Sequence, residues 1–299
     1  MSAGPHVSIN AETLFTFGGV SITNSLLTSL IVSGVIILFA LLVRLKLKKT
    51  HRPKGIQNFA EWLVESLYNL TYSIAGNVKK SRFFFPFIAT FFLFIVLNNW
   101  IGLLPGVSTI GIKKVETKPV KIEKEAKVEV KDVEKKETAD EHALEDAEVK
   151  KKAPLEAHKE EVATKHDAKF VPLFRAGTAD INTTLALALV SVFMAQLMGL
   201  KFAGASYLKK FFNFSNPVMF FVGVLEVISE FAKIISFAFR LFGNIFAGEV
   251  LLAVISFLVP LLIPAPFYGM EIFVGFIQAL VFVMLTLVFF NMATQHHDH

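Results

Sequence analysis

A chain of 299 residues that is 54% hydrophobic and 13% aromatic, with 32 Phe and a mean hydropathy of +0.56, is too apolar for a soluble domain and reads as an integral membrane protein. The absence of Cys excludes a disulfide scaffold, thiol chemistry and any Cys-ligated metal. The formal charge of +5 divides unevenly: Lys113–Lys169 holds 15 Lys against 16 acids, and the remainder 15 Lys and Arg against 9 acids, its cations clustered in short loops, a sign of membrane orientation and not of nucleic-acid binding.

The opening "MSAGPHVSINAETLFTF" lacks the basic start and small-residue cleavage site of a signal peptide and is not Arg-rich, so the first apolar segment is expected to stay in the protein. A helix needs about 20 apolar residues to cross the hydrocarbon core. Four segments qualify: Ser25–Val43, Phe83–Gly106, Asn182–Leu200 and Glu271–Ala293. Between the first two, "GIQNFAEWLVESLYNLTYSIAG" is amphipathic and flanked by basic clusters, which predicts a helix lying along the interface.

Lys113–Lys169 differs in kind. It has no aromatics and mixes both charge signs, so it buries too little apolar area to offset ordering entropy and is expected to be disordered or loosely helical.

From Val218 to Val259 no proline interrupts the chain, and Pro217 and Pro260 bound it. A continuous helix of that length rises roughly 60 Å, about twice the hydrocarbon thickness. Either it breaks, at Gly243 or Gly248, or it lies strongly tilted, and the oblique helix is favoured. "VPLLIPAPFYG" would then turn it back into the last span. The expected fold is all-α and integral to the membrane. It has about five membrane helices, an amphipathic interfacial helix and a long, strongly tilted C-terminal helical hairpin. The expected organisation is a two-span region over 1–111, a charged insert over 112–170 on the outer side, and an ion-handling region over 171–299.

The basic loops "RLKLKKTHRPKG", "KKSR" and "LKFAGASYLKKFF" fall on one side, the cytoplasmic one by the positive-inside rule. This predicts an outer N-terminus and a cytoplasmic C-terminus.

Charges within spans cost about 2.5–3.5 kcal/mol each on insertion scales and usually face a protein interior or an aqueous path. The long helix carries Glu226, Glu230, Lys233, Arg240 and Glu249, and the last span adds Glu271 and Gln278. At about 100° per residue, Asn244 shares a face with Arg240, and Glu249 falls roughly opposite, about 13 Å along the axis. Antiparallel packing brings Glu249 and Glu271 to one depth. Two acids then stand on the outer side and two, Glu226 and Glu230, on the inner side, with a cation between that does not release its proton. Such acids can relay protons. Plainer roles compete: a helix-face pair for Glu230 and Lys233, snorkelling for Glu226, interhelical hydrogen bonding for Asn244, and close packing for Gly243, Gly248 and Gly275. The histidines of "TQHHDH" are read as a solvated tail, not a metal site.

The run "SEFAKIISFAFRLFGNIFAGEVLL" closely resembles the signature helix of subunit a of F-type ATP synthases. "RPKGIQNFAEWLVE", "LNNWIGLLPG", "FRAGTADINTTLALAL" and "GFIQALVFVMLTLVF" agree in order. The resemblance implies a proton-translocating stator subunit of the membrane sector, non-catalytic and without cofactor. Its implied partners are a rotor c-ring, peripheral-stalk b subunits and the lipid bilayer, with no nucleic acid, in a bacterial plasma (inner) membrane. By position, Arg240 resembles the arginine that faces each passing rotor carboxylate. Asn244, Glu249, Glu271 and Gln278 match the outer half-channel, and Glu226, with Glu230 beside it, the inner one. Departures are glutamate at 271 where some members have histidine, Gly102 where some have an acid, and the insert.

Two other classes compete. A self-contained secondary transporter would show paired halves and broken helices at midplane. A membrane enzyme would need a nucleophile–base pair or metal ligands within the spans, and no His lies in any of them. No "GxxxxGK[ST]" appears, so a P-loop nucleotide site is excluded.

Overall fold

The computed structural model describes residues 11–47, 55–104, 107, 110–117, 166–204, 207–208, 211, 216–259 and 263–295. The chain divides into two compact units, Met1–Ile112 with Val171–His299, and Lys113–Phe170.

The first unit opens on a hairpin that the sequence reading did not anticipate. Strands β1 (Thr13–Phe17) and β2 (Val20–Thr23) pair antiparallel across Gly18 and Gly19. Both glycines have positive φ, 58° and 86°, as a two-residue hairpin turn requires. Helix α1 (Asn24–Lys46) follows at once, its first turn capped by the Thr23 hydroxyl, which accepts from the Leu26 N–H at 3.2 Å. Most of α1 past its first turns is apolar and exposed, including Leu30, Ile37, Leu38 and Leu41. In water such a face would be untenable, and in lipid it is ordinary.

Helix α2 (Ile56–Ala75) occupies the amphipathic segment and stops at Gly76, whose φ of 63° lets its N–H return to Tyr72 O. Helix α3 (Val78–Gly102) starts on an Asn77 cap, and α4 (Ile181–Ala203) on an Asp180 cap. Helix α5 (Pro217–Leu258) runs unbroken for 42 residues with Pro217 at its first position. Neither Gly243 nor Gly248 interrupts it.

Helix α6 (Pro264–Ala293) begins seven residues earlier than its apolar run predicted. The prolines of "PAPFYG" do not prevent this. Pro264 and Pro266 fall in the first turn, where the missing N–H groups have no intrahelical partner to lose.

Five helices, α1 and α3 to α6, are long and apolar enough to cross a membrane. The core lies where α3, α4, α5 and α6 meet, around the fully buried Phe84, Ile88, Ile95, Met198, Leu241, Leu287 and Phe290. Edge-to-face ring pairs fill it, Phe84–Phe290 at 5.4 Å and Phe91–Phe282 at 5.8 Å. One end of the bundle is tied by Lys80 Nζ donating to Thr294 O (3.0 Å) and Asn291 Nδ2 donating to Ile74 O (3.0 Å). The opposite end holds the starts of α1, α4 and α6 and the finish of α3. These are called the Lys80 end and the Asn98 end below.

The insert is described only at its flanks. Strands β3 (Gly111–Thr117) and β4 (His166–Pro172) pair in a two-stranded sheet, which corrects the expectation of disorder or loose helix there. The cause is local. Leu173 N–H donates to Ile110 O at 2.9 Å, so the two chain segments run side by side and can continue as a ladder. The predicted disorder of 118–165 lies outside the described residues, as does the end of the C-terminal tail.

Candidate functional site

The Asn98 end is built from buried polar groups. Ser29 donates to Asn98 Oδ1 at 3.2 Å, and Asn98 donates back to Phe94 O at 2.8 Å. Asn99 donates to Gly275 O at 2.9 Å and accepts from the Thr178 hydroxyl. Trp100 Nε1 donates to Ile272 O at 3.1 Å. "LNNW" thus binds α3 to α1, to α6 and to the 3-10 turn Gly177–Ala179. Two glycines make this approach possible. A Cβ at Gly177 would overlap Asn98 and Ser29, and one at Gly102 would overlap Ala176. Gly102 is therefore a packing residue in this chain.

The platform carries Arg175. Its N–H donates to Thr28 Oγ1 at 3.3 Å, and its side chain is 7% exposed. Both Nε (3.1 Å) and Nη2 (3.0 Å) donate to Oε2 of Glu249 on α5. The guanidinium carbon also stands 5.9 Å from the Phe246 ring. Beside Glu249, the Glu271 carboxylate packs directly on the adjoining Gly248, where any Cβ would overlap it. Glu249 and Glu271 are thus brought to one depth, as the hairpin arithmetic predicted. Glu271 Oε1 and Gln278 Nε2 are buried with no hydrogen-bond partner among the described residues. A buried polar atom without a partner is costly. Asn244 Nδ2 donates to Gln278 Oε1 at 2.6 Å, joining α5 to α6.

Arg240 follows a turn below Asn244 and is exposed on α5 with no ion pair among the described residues. It borders an open groove of about 280 Å³ with Ser229, Lys233, Ser236 and Phe289. Toward the Lys80 end, Lys233 pairs with Glu230 at 2.7 Å and lies 5.0 Å from the Phe289 ring. This is the helix-face pair allowed for above. Glu226 is half-buried one turn earlier.

The structure therefore gathers Asn244, Glu249, Glu271 and Gln278 toward the Asn98 end and leaves Glu226 and Glu230 separate. Glu230 and Glu249 are about 28 Å apart along α5. Gly248 and Gly275 are close-packing positions, but Gly243 is not: nothing stands within 4 Å of a Cβ there. Its place on the exposed side of α5 explains the difference.

Sequence reasoning missed Arg175, Gln196 and Tyr207. The Tyr207 ring lies on Gly199, and its hydroxyl donates to Gln196 Oε1 at 2.7 Å. Burial first, then the charges of Glu230 and Glu226, push Tyr207 up to about 12. It is therefore a neutral donor beside Glu226 and Glu230. The signal for Arg175 was an arginine standing alone in "LFRAGTADI", next to a span.

The family model for the ATP synthase A chain matches residues 26–291. The chain belongs to this family. It is 29% identical over 248 residues to ATP synthase subunit a of Syntrophobacter fumaroxidans (strain DSM 10017 / MPOB), covering 82% of this chain and 74% of that one. It is likewise 29% identical over 272 residues to the chloroplastic ATP synthase subunit a of Stigeoclonium helveticum, covering 91% of this chain and 85% of that one. The match spans α1 to α6, so the whole bundle is that of an ATP synthase a subunit, a multi-pass membrane protein.

Proposed function

We propose that this a subunit is the proton-translocating stator of the membrane sector, with two offset half-channels separated by Arg240. The observation that carries the reading is the layout of charge on one continuous helix. A guanidinium that is exposed and has no ion pair among the described residues stands between an acid–amide group on one side and Glu226 and Glu230 on the other. A guanidinium keeps its proton, so it interrupts any relay between the two groups. Being exposed and unpaired among the described residues, it is available to a carboxylate on a partner.

Protons enter from outside through Glu249, Glu271, Gln278 and Asn244 and neutralise a carboxylate of a rotor c-ring. Once neutral, that site crosses the lipid at low cost. After nearly a full turn it meets the inner group, Glu226 and Glu230, and releases its proton to the cytoplasm. Arg240 holds the charged rotor site in the interval and closes the direct route. The unbroken α5, about 63 Å long, suits a stator laid obliquely against a cylindrical ring. The subunit is non-catalytic and needs no cofactor. It sits in a bacterial plasma membrane with its N-terminus outside, between the c-ring and peripheral-stalk b subunits.

The test uses inverted membrane vesicles in which this chain is the only copy, native or Arg240→Gln. ATP-driven acidification is followed with a fluorescent dye, and assembly is checked by immunoblot. An assembled Arg240→Gln complex that pumps nothing is the expected result. Near-native pumping would refute the stator reading and favour a self-contained secondary transporter.

A further inference from the structure

We propose that Arg175 is a second fixed cation of the translocation path, a positioning residue that holds Glu249 for proton exchange. The inference rests on the stator reading above.

The contact is specific. Two N–H donors of a planar guanidinium converge on one oxygen, Oε2 of Glu249, at 3.1 and 3.0 Å. Both of the hydrogen bonds to Glu249 from Arg175 go to Oε2 and none to Oε1, and the Glu249 side chain is 40% exposed. One oxygen is thereby held in place while the other stays open to exchange a proton.

The support beneath Arg175 is unusual for a residue outside any helix. Thr28 of α1 takes its backbone N–H. Ala176 is seated on Gly102 of α3, and Gly177 fits between Asn98 and Ser29 with no room for a side chain. Residues of two helices thus fix the segment that carries one guanidinium. A buried charge costs several kcal/mol unless paired, so a site without a use for it would be better filled by an apolar side chain. The two arginines divide the work. Arg240 is exposed and takes a moving partner; Arg175 is buried and takes a stationary one.

The experiment compares Arg175→Gln, Arg175→Lys, Arg175→Gln with Glu249→Gln, and Arg240→Gln in the same vesicles. Arg175→Gln is expected to lower pumping by about tenfold or more, a loss of the size seen when a charge partner is removed. Arg175→Lys keeps the charge and is expected to recover at least about threefold over it. If Arg175→Gln prevents assembly, the double variant, which removes both members of the Arg175–Glu249 pair, is expected to restore it. Pumping by assembled Arg175→Gln within about twofold of native would overturn the inference. So would equal losses in the Gln and Lys variants, or a double variant that fails to restore assembly. Native pumping by Arg240→Gln would instead refute the stator reading itself, so the two failures are distinguishable.

Discussion

Asn244 of α5 and Gln278 of α6 are joined by a 2.6 Å hydrogen bond, the amide of one donating to the carbonyl of the other one turn from Arg240. The pair is asymmetric. Asn244 is exposed, whereas Gln278 is 4% exposed.

That asymmetry predicts unequal costs. Asn244→Ala leaves Gln278 Oε1 buried without its donor and should cost about 1–3 kcal/mol. Gln278→Leu removes a buried amide whose Nε2 has no partner among the described residues and leaves only the exposed Asn244 without its acceptor, so it should cost less. The double variant should be near neutral, because both polar partners are gone. Thermal unfolding of the purified chain in detergent checks the order. Equal costs for the two single variants would mean that the pair is solvated on both sides.

The spans and the unbroken α5 were legible because length and apolarity are written directly in the sequence. The shared depth of Glu249 and Glu271 was legible as well, because helical spacing and an antiparallel hairpin fix it. The Arg175–Glu249 pair was not, since its members are 74 residues apart and one of them sits in a loop without periodicity. Gly243 and Gly248 look alike in sequence. Only what stands opposite distinguishes them, open space for one and the Glu271 carboxylate for the other. The β1–β2 hairpin is too short for alternation to be read against its surroundings.

Gly248→Ala and Gly243→Ala should therefore behave oppositely. A methyl at 248 must displace the Glu271 carboxylate and should destabilise the hairpin by about 1–3 kcal/mol, with a matching loss of pumping. A methyl at 243 meets nothing within 4 Å and gains helix propensity, so the isolated chain should be unchanged or up to about 1 kcal/mol more stable. Detergent unfolding of both variants decides the matter. Equal destabilisation would refute the packing assigned to Gly248.

Asn99 serves two segments at once, donating to Gly275 O and accepting from Thr178. Asn99→Ala should leave the buried Thr178 hydroxyl without its acceptor and remove the tie to Gly275 O, which keeps its own helical partner, and should cost about 1–3 kcal/mol. Thr178→Ala removes one partner only and should cost less. Amide hydrogen exchange near residues 272–278 should rise in Asn99→Ala and change little in Thr178→Ala.

Tyr207 gives a prediction in pH. Its hydroxyl is pushed from an ordinary value near 10 up to about 12, by burial first and then by Glu230 and Glu226. The folded chain therefore holds this proton more tightly than the unfolded one. Its contribution to stability is complete below about pH 10 and is lost as pH rises from there toward 12. Tyr207→Phe cannot titrate and should lack that part of the alkaline decline. At neutral pH it should be less stable by about 0.5–1.5 kcal/mol, since Gln196 Oε1 loses its donor. The two stability curves should then converge as pH rises through this window. Parallel curves would show that Tyr207 is not buried beside the two acids.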